Sequence, residues 1–181
     1  MTGVQSPDPI SEPKAYQDYL IGLVGGDDPA VVQAATPQRV RDLLADAGDD
    51  ARSRPTDGEW SALECLAHVV DAEIVAAARY RWILAHDEPE LIGYDQDLWV
   101  DRLHQPVEDA AALLRLFEPL RAANLDLWGR NPETEQRDRV GIHRERGAES
   151  FSLLFTMIAG HDRFHLAQAE RALAILRTGR R

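Results

Sequence analysis

Apolar residues recur every three or four positions along most of this chain, the spacing of helices that bury one side. A short stretch, Ala15 to Val24, ends at Gly25-Gly26. Pro29 to Ala47 follows, with an interruption predicted at Thr36-Pro37, where Thr36 suits an N-cap and Pro37 the first helical position. Ser61-Ala62-Leu63-Glu64 is a capping-box pattern opening a helix to about Ala85, with Leu63, Ala67, Val70, Ile74 and Ala77 as its buried seam. Residues 86–105 read as an irregular connection. A third long helix starts near Pro106, uses Leu113, Leu116, Phe117, Leu120 and Leu127 as its apolar face, and ends at Asn131-Pro132. Pro119 lies inside it and predicts a kink. A charged loop leads to Gly147, and the last helix runs from about Glu149 to Arg177.

Nothing alternates with the period of strands, and no repeat is present. Long helices joined by long connections predict an all-α fold, a helical bundle in which segment 86–105 leaves room for a crossover. Residues 1–14, rich in proline and polar side chains, read as a flexible N-terminal tail, and 15–181 as one domain.

Charge narrows the function classes. The 181 residues hold 20 Lys and Arg against 31 Asp and Glu, a net charge of −11, which argues against nucleic acid or an anionic membrane as partner. The single cysteine, Cys65, excludes an internal disulfide. With neither a signal-like start nor a spanning apolar run, the expectation is a soluble cytoplasmic protein.

The informative chemistry lies in the last helix. Leu154, Ile158, His161, His165, Gln168 and Ala172 share one inward stripe, so two histidines and a glutamine stand where aliphatic residues are expected. His161 and His165 are four apart and can converge on one ion. The glutamate of an HExxH helix is missing, so a zinc-protease reading fails. Two buried neutral imidazoles need partners, and a metal serves both. A third ligand is less clear. His86, His104 and His143 fall at a helix end or in loops and read as solvated. His68, with Glu64 and Asp71 a turn to either side, lies about 160° from Val70, so periodicity alone makes these three a solvated polar edge. Asp162 points about 100° from His161 and reads as solvated too. Cys65 reads as a small buried hydrophobe, with the role of a fourth ligand as its alternative. Trp60, Trp82, Tyr94 and Trp99 read as core or dimer contacts, with one or two at a pocket mouth.

Taken together, Trp60 to His68 followed by Asp71-Ala72-Glu73, and Gly160-His161-Asp162-Arg163-Phe164-His165-Leu166-Ala167-Gln168, resemble the second and last helices of the DinB/YfiT-like metalloenzyme family. The likeness runs from about Tyr19 to Leu176 and includes Asp28-Pro29 and Tyr94 to Trp99. The resemblance implies a four-helix bundle with a long crossover connection, a homodimer, and a divalent metal held by His68, His161 and His165. Three neutral imidazoles leave coordination positions open, as in catalytic sites, and nitrogen ligation suits zinc or nickel. Glu64 and Gln168 are the candidate residues behind the ligands, although Glu64 also serves the helix cap. The function expected is a metal-dependent enzyme, a hydrolase or a transferase using a low-molecular-weight thiol cosubstrate. The alternative is a non-catalytic metal-binding module linked to stress or dimerisation.

Overall fold

The computed structural model describes residues 6–104 and 109–179. Its helices are α1 (Pro13–Val24), α2 (Pro29–Ala47), α3 (Ala62–Ala85), α4 (Gln96–Leu103), α5 (Ala110–Arg130), α6 (Thr134–Arg137) and α7 (Phe151–Gly179). The four long ones form the bundle. α3 and α2 each pack on both α7 and α5, while α2 scarcely touches α3. α2 and α3, consecutive in sequence, therefore stand across the bundle from one another, and the connection between them crosses over. No helix among the described residues is long and apolar enough to cross a membrane.

Local chemistry explains most helix ends. Asp28 caps α2 by accepting from the Ala30 N–H at 2.8 Å, and Asp109 caps α5 through Ala111 at 3.0 Å. The expected start at Pro106 lies outside the described residues. α2 does not break at Thr36-Pro37 but continues through it. Pro37 has no N–H to give the carbonyl four residues back, Gln33 O. Arg121 Nη1 donates to that oxygen instead, at 3.0 Å, so the missing helical bond is replaced from α5. α5 likewise remains one helix with Pro119 inside it.

Three short strands correct the all-loop reading of the connections: β1 (Glu90–Leu91), β2 (Val140–His143) and β3 (Gly147–Ser150), in the order β1-β2-β3. β1 runs parallel to β2 with Glu90 opposite Ile142, and β2 pairs antiparallel with β3. Two to four residues are too few to show an alternation in sequence. Gly141 is needed there, because a Cβ would lie 2.8 Å from the Leu91 side chain.

The interior has two apolar clusters with a polar layer between them. One gathers Val40, Leu63, Leu66, Phe117 and Leu173; the other gathers Leu20, Tyr80, Ile83, Phe151 and Phe155. Each bundle helix passes from one cluster to the other through buried polar residues: Gln33 and Thr36 on α2, His68 and Glu73 on α3, Arg121 and Asn124 on α5, His161 and Asp162 on α7. Ile74 and Leu116, expected on buried seams, are exposed.

α1 lies directly against α7. A Cβ on Gly160 would fall 1.8 Å from Leu20 O, so the absence of a side chain there sets the approach of α1 beside His161. Residues 1–5 of the expected tail lie outside the described residues. Pro9, Ile10 and Pro13 line a cavity.

Candidate functional site

The capping box of α3 forms in both directions. Ser61 Oγ accepts from the Glu64 N–H at 3.2 Å, and Glu64 Oε2 accepts from the Ser61 N–H at 2.8 Å. Arg54 also holds the Glu64 carboxylate, with Nη2 2.6 Å from Oε1. Burial would raise the Glu64 pKa, but Arg54 and Ser61 outweigh it and hold it below its ordinary value. One turn on, His68 enters the polar layer and meets His161 and His165 of α7.

One ligand-capable atom from each of the three histidines lies within 4.8 Å of the other two. His68 Nε2 and His161 Nε2 are 2.9 Å apart. Nitrogens bound to one tetrahedral zinc ion at 2.0–2.1 Å sit about 3.3 Å from each other, so the triad has the size a small divalent ion requires. His165 Nδ1 donates to Gln168 Oε1 at 2.8 Å, which leaves the lone pair on Nε2. That Nε2 is buried with no partner, as are His68 Nδ1 and His161 Nδ1. An ion held by the three Nε2 atoms would give the orphaned His165 Nε2 its partner, whereas His68 Nδ1 and His161 Nδ1 lie on the far sides of their rings from the paired Nε2 atoms. The residues fit a metal.

Burial keeps the three rings neutral. Desolvation, with repulsion from His165 and its neighbours, drives the His68 and His161 pKa values well below the ordinary histidine range. Desolvation lowers His165 to about 4. Neutral imidazole is the form that ligates. Trp60 stacks on His165 with ring centres 6.0 Å apart and lies 5.2 Å from His68, and Tyr94 lies 6.3 Å from His68. Two of the four aromatics read as core or dimer contacts, with one or two at a pocket mouth, thus border the histidines.

Behind His161 the expected solvation of Asp162 is corrected. Asp162 is buried and binds Arg121, with Nη1 2.5 Å from Oδ2 and Nη2 3.0 Å from Oδ1. Arg121 Nη2 also lies 2.9 Å from Glu73 Oε2, and Thr36 Oγ1 donates to Asp162 Oδ2 at 2.8 Å. Asn124 Nδ2 donates to Glu73 Oε1 at 2.8 Å. Burial alone would lower the Arg121 pKa, but the two carboxylates hold it above its ordinary value. This network ties all four bundle helices together next to the triad.

His104 and His143 are not solvated either. His104 Nε2 lies 2.7 Å from Asp71 Oδ2, and both side chains are largely covered. His68, Glu64 and Asp71, a polar edge by periodicity, are all buried, because α3 is covered by α4 and the segment before it as well as by α5 and α7. Cys65 is buried in the apolar core, its thiol pushed up to about 12 by burial, and stands outside the histidine cluster.

A cavity of about 360 Å³ opens beside the triad, with His161 in its wall. Tyr16, Tyr94 and Met157 give it apolar surface, and Arg79, His143 and Arg146 give it charge and polarity. Arg79 escaped the sequence reading, and His143 was read there as solvated. Arg79 shares the α3 face of His68, Ala72 and Ala76, a helical spacing that an arginine seven or more residues from the motif does not advertise.

A family model described as the DinB superfamily matches residues 33–169. A protein of Geobacillus thermodenitrificans (strain NG80-2), named "Putative metal-dependent hydrolase", is 24% identical over 136 residues, covering 73% of this chain and 75% of that protein. Among solved structures, YfiT from Bacillus subtilis, described as "a probable metal-dependent hydrolase with an unusual four-helix bundle topology", is similar with a TM-score of 0.74. It is 19% identical, with 98% of this chain and 95% of that chain covered.

Proposed function

This chain belongs to the DinB superfamily, and on that premise we propose that it is a metal-dependent hydrolase whose divalent ion, zinc or nickel, is held by His68, His161 and His165. The observation that carries the reading is the convergence of three buried, neutral imidazoles beside a cavity large enough for a small substrate, with one of them, His161, in its wall. The names of the similar proteins support the reaction type.

When bound, a divalent ion supplies Lewis acidity and draws the pKa of water down toward about 7. The chain's own residues do the rest. Gln168 holds the His165 ring by its Nδ1–H and so aims Nε2. Trp60 and Tyr94 cover the rings and keep bulk water from them. The Arg121–Asp162 pair fixes α7 at the residue next to His161.

The test begins with metal content of untagged protein purified without added metal, for wild type and His161→Ala. Near-stoichiometric zinc or nickel in wild type, lost in the variant, together with metal-dependent cleavage of an ester or amide panel, is the expected result. Transfer to an added low-molecular-weight thiol in place of water would reassign the reaction to a thiol-dependent transferase. Metal in neither protein, with melting unchanged by added zinc or nickel, would overturn the proposal.

A further inference from the structure

The cavity that reaches His161 continues along α3 past Ala72 and Ala76 to Arg79. Its α3 wall runs from Ala72, one turn past His68, to Arg79, seven residues or about 10 Å of helix axis. Arg79 is only 5% exposed. Its Nη2 donates to Ile92 O, and its Nε is buried with no partner. Among the described residues no carboxylate lies within ion-pair distance of it, whereas its neighbours are already matched. Arg146 Nε is 2.5 Å from Glu149 Oε1, and Gln17 Nε2 donates to the same oxygen at 2.5 Å. Glu145 Oε2 lies 3.0 Å from His143 Nδ1.

A buried cation without a direct ion pair is costly, and burial together with Arg146 lowers the pKa of Arg79 from its ordinary value even though the charges of Glu149, Tyr94 and Glu145 act the other way. His143 adds a second gap. It is 3% exposed, its Nδ1 is engaged by Glu145, and its Nε2 is buried without a partner. Both residues line the same cavity. The fork of a guanidinium is matched by a planar or tetrahedral oxyanion.

We propose that Arg79, with His143 beside it, is the anion-recognising end of the cavity, and that the substrate carries a carboxylate or phosphate group remote from the bond that reacts at the histidines. The assignment of a reacting end rests on the hydrolase reading above; the anion subsite itself stands on Arg79 and His143. It makes the substrate an acid rather than a neutral molecule. Specificity follows from the same contact, since a neutral analogue would leave the guanidinium desolvated and unpaired.

The first experiment uses metal-stripped protein, so that it reads the subsite without the metal. Thermal melting is followed with glutarate, with inorganic phosphate and with the neutral glutaramide, for wild type, Arg79→Gln and Arg79→Lys. The expected result is a concentration-dependent rise in melting temperature with at least one anion for wild type, none with glutaramide, a reduced rise for Arg79→Lys and none for Arg79→Gln. Glutarate alone acting identifies a carboxylate, and phosphate alone identifies a phosphate. No rise with either anion in wild type, or an equal rise in Arg79→Gln, overturns the subsite. Should Arg79→Gln fail to fold, Arg79→Lys and His143→Gln carry the comparison. The second experiment uses the metal-loaded enzyme, with an ester that cleaves and its carboxylated counterpart. Arg79→Gln should lower kcat/KM for the acidic ester by about 10- to 100-fold and leave the neutral ester nearly unchanged. Equal losses on both esters overturn the specificity role. A wild type that binds anions but holds no metal would refute the hydrolase reading and leave the anion subsite standing.

Discussion

At the scale of single residues, Gln168 is the least conspicuous member of the site and the easiest to test. Its amide oxygen takes the Nδ1 proton of His165 at 2.8 Å and so decides which ring nitrogen has a free lone pair. Removing such a partner from a ligating histidine costs metal affinity while the fold is retained. Gln168→Leu should bind zinc about 10- to 100-fold more weakly, read by competition with a chromophoric chelator, with urea unfolding of the metal-free protein little changed. A loss of fold, or unaltered affinity, would show that Gln168 does not orient the ring. His161, His165 and Gln168 were legible in the sequence because polar residues interrupted an aliphatic stripe. His68 was not legible by spacing, since its burial depends on α4 and on the segment before α3, and the resemblance supplied it. Asp162 was misread because Arg121, 41 residues away, buries it, and a helical wheel assigns any residue off the best stripe to solvent; His143 was misread because a loop position reads as exposed, and Arg79 was not singled out at all.

At the scale of elements, the Arg121 network explains several departures from the sequence reading at once. Pro37 should have ended α2, yet the carbonyl it leaves unpaired is satisfied by Arg121 Nη1. The same guanidinium meets Asp162 of α7 and Glu73 of α3, all at 1% exposure or less. Four helices thus share one cation. Replacing it by an apolar side chain strands two buried carboxylates, and breaking a buried ion pair from one side costs about 3–5 kcal/mol. Arg121→Met should therefore lower unfolding free energy by about that amount in a urea titration, far more than loss of an exposed pair such as Arg177 with Asp46. A change below about 1 kcal/mol would mean that the network adds no more than a surface pair. The helices themselves were readable because their apolar periodicity and caps are local. The strands β1, β2 and β3 were not, because Glu90 finds its partner only at Ile142 and each strand is shorter than the alternation that would reveal it.

At the scale of the whole molecule, a polar layer through the middle of a bundle makes stability depend on pH in a definite direction. His165 and His143 are each lowered to about 4 by burial, and His68 and His161 lie well below the ordinary value of 6.5. In the unfolded chain all four would take up protons near 6.5. Between about 6.5 and about 4 the unfolded state then binds more protons than the folded one, so unfolding is favoured as pH falls through that window. Above about 7.5 both states are neutral at these rings and the contribution is flat. A bound ion adds to the same trend, because protons compete with it for the imidazoles, and it stabilises only the state that has the site. Melting temperature of metal-free protein should therefore fall as pH is lowered from 7.5 to 4.5. With excess zinc the curve should lie higher at pH 7.5 and converge on the metal-free curve as acid displaces the ion. In His161→Ala the zinc-dependent separation should vanish while the fall with acid is reduced but still present, since His68, His143 and His165 stay buried. A metal-free curve that is flat from pH 7.5 to 4.5 would contradict the neutral burial of these rings, and a zinc effect that persists unchanged at pH 4.5 would place the ion on groups other than the histidines.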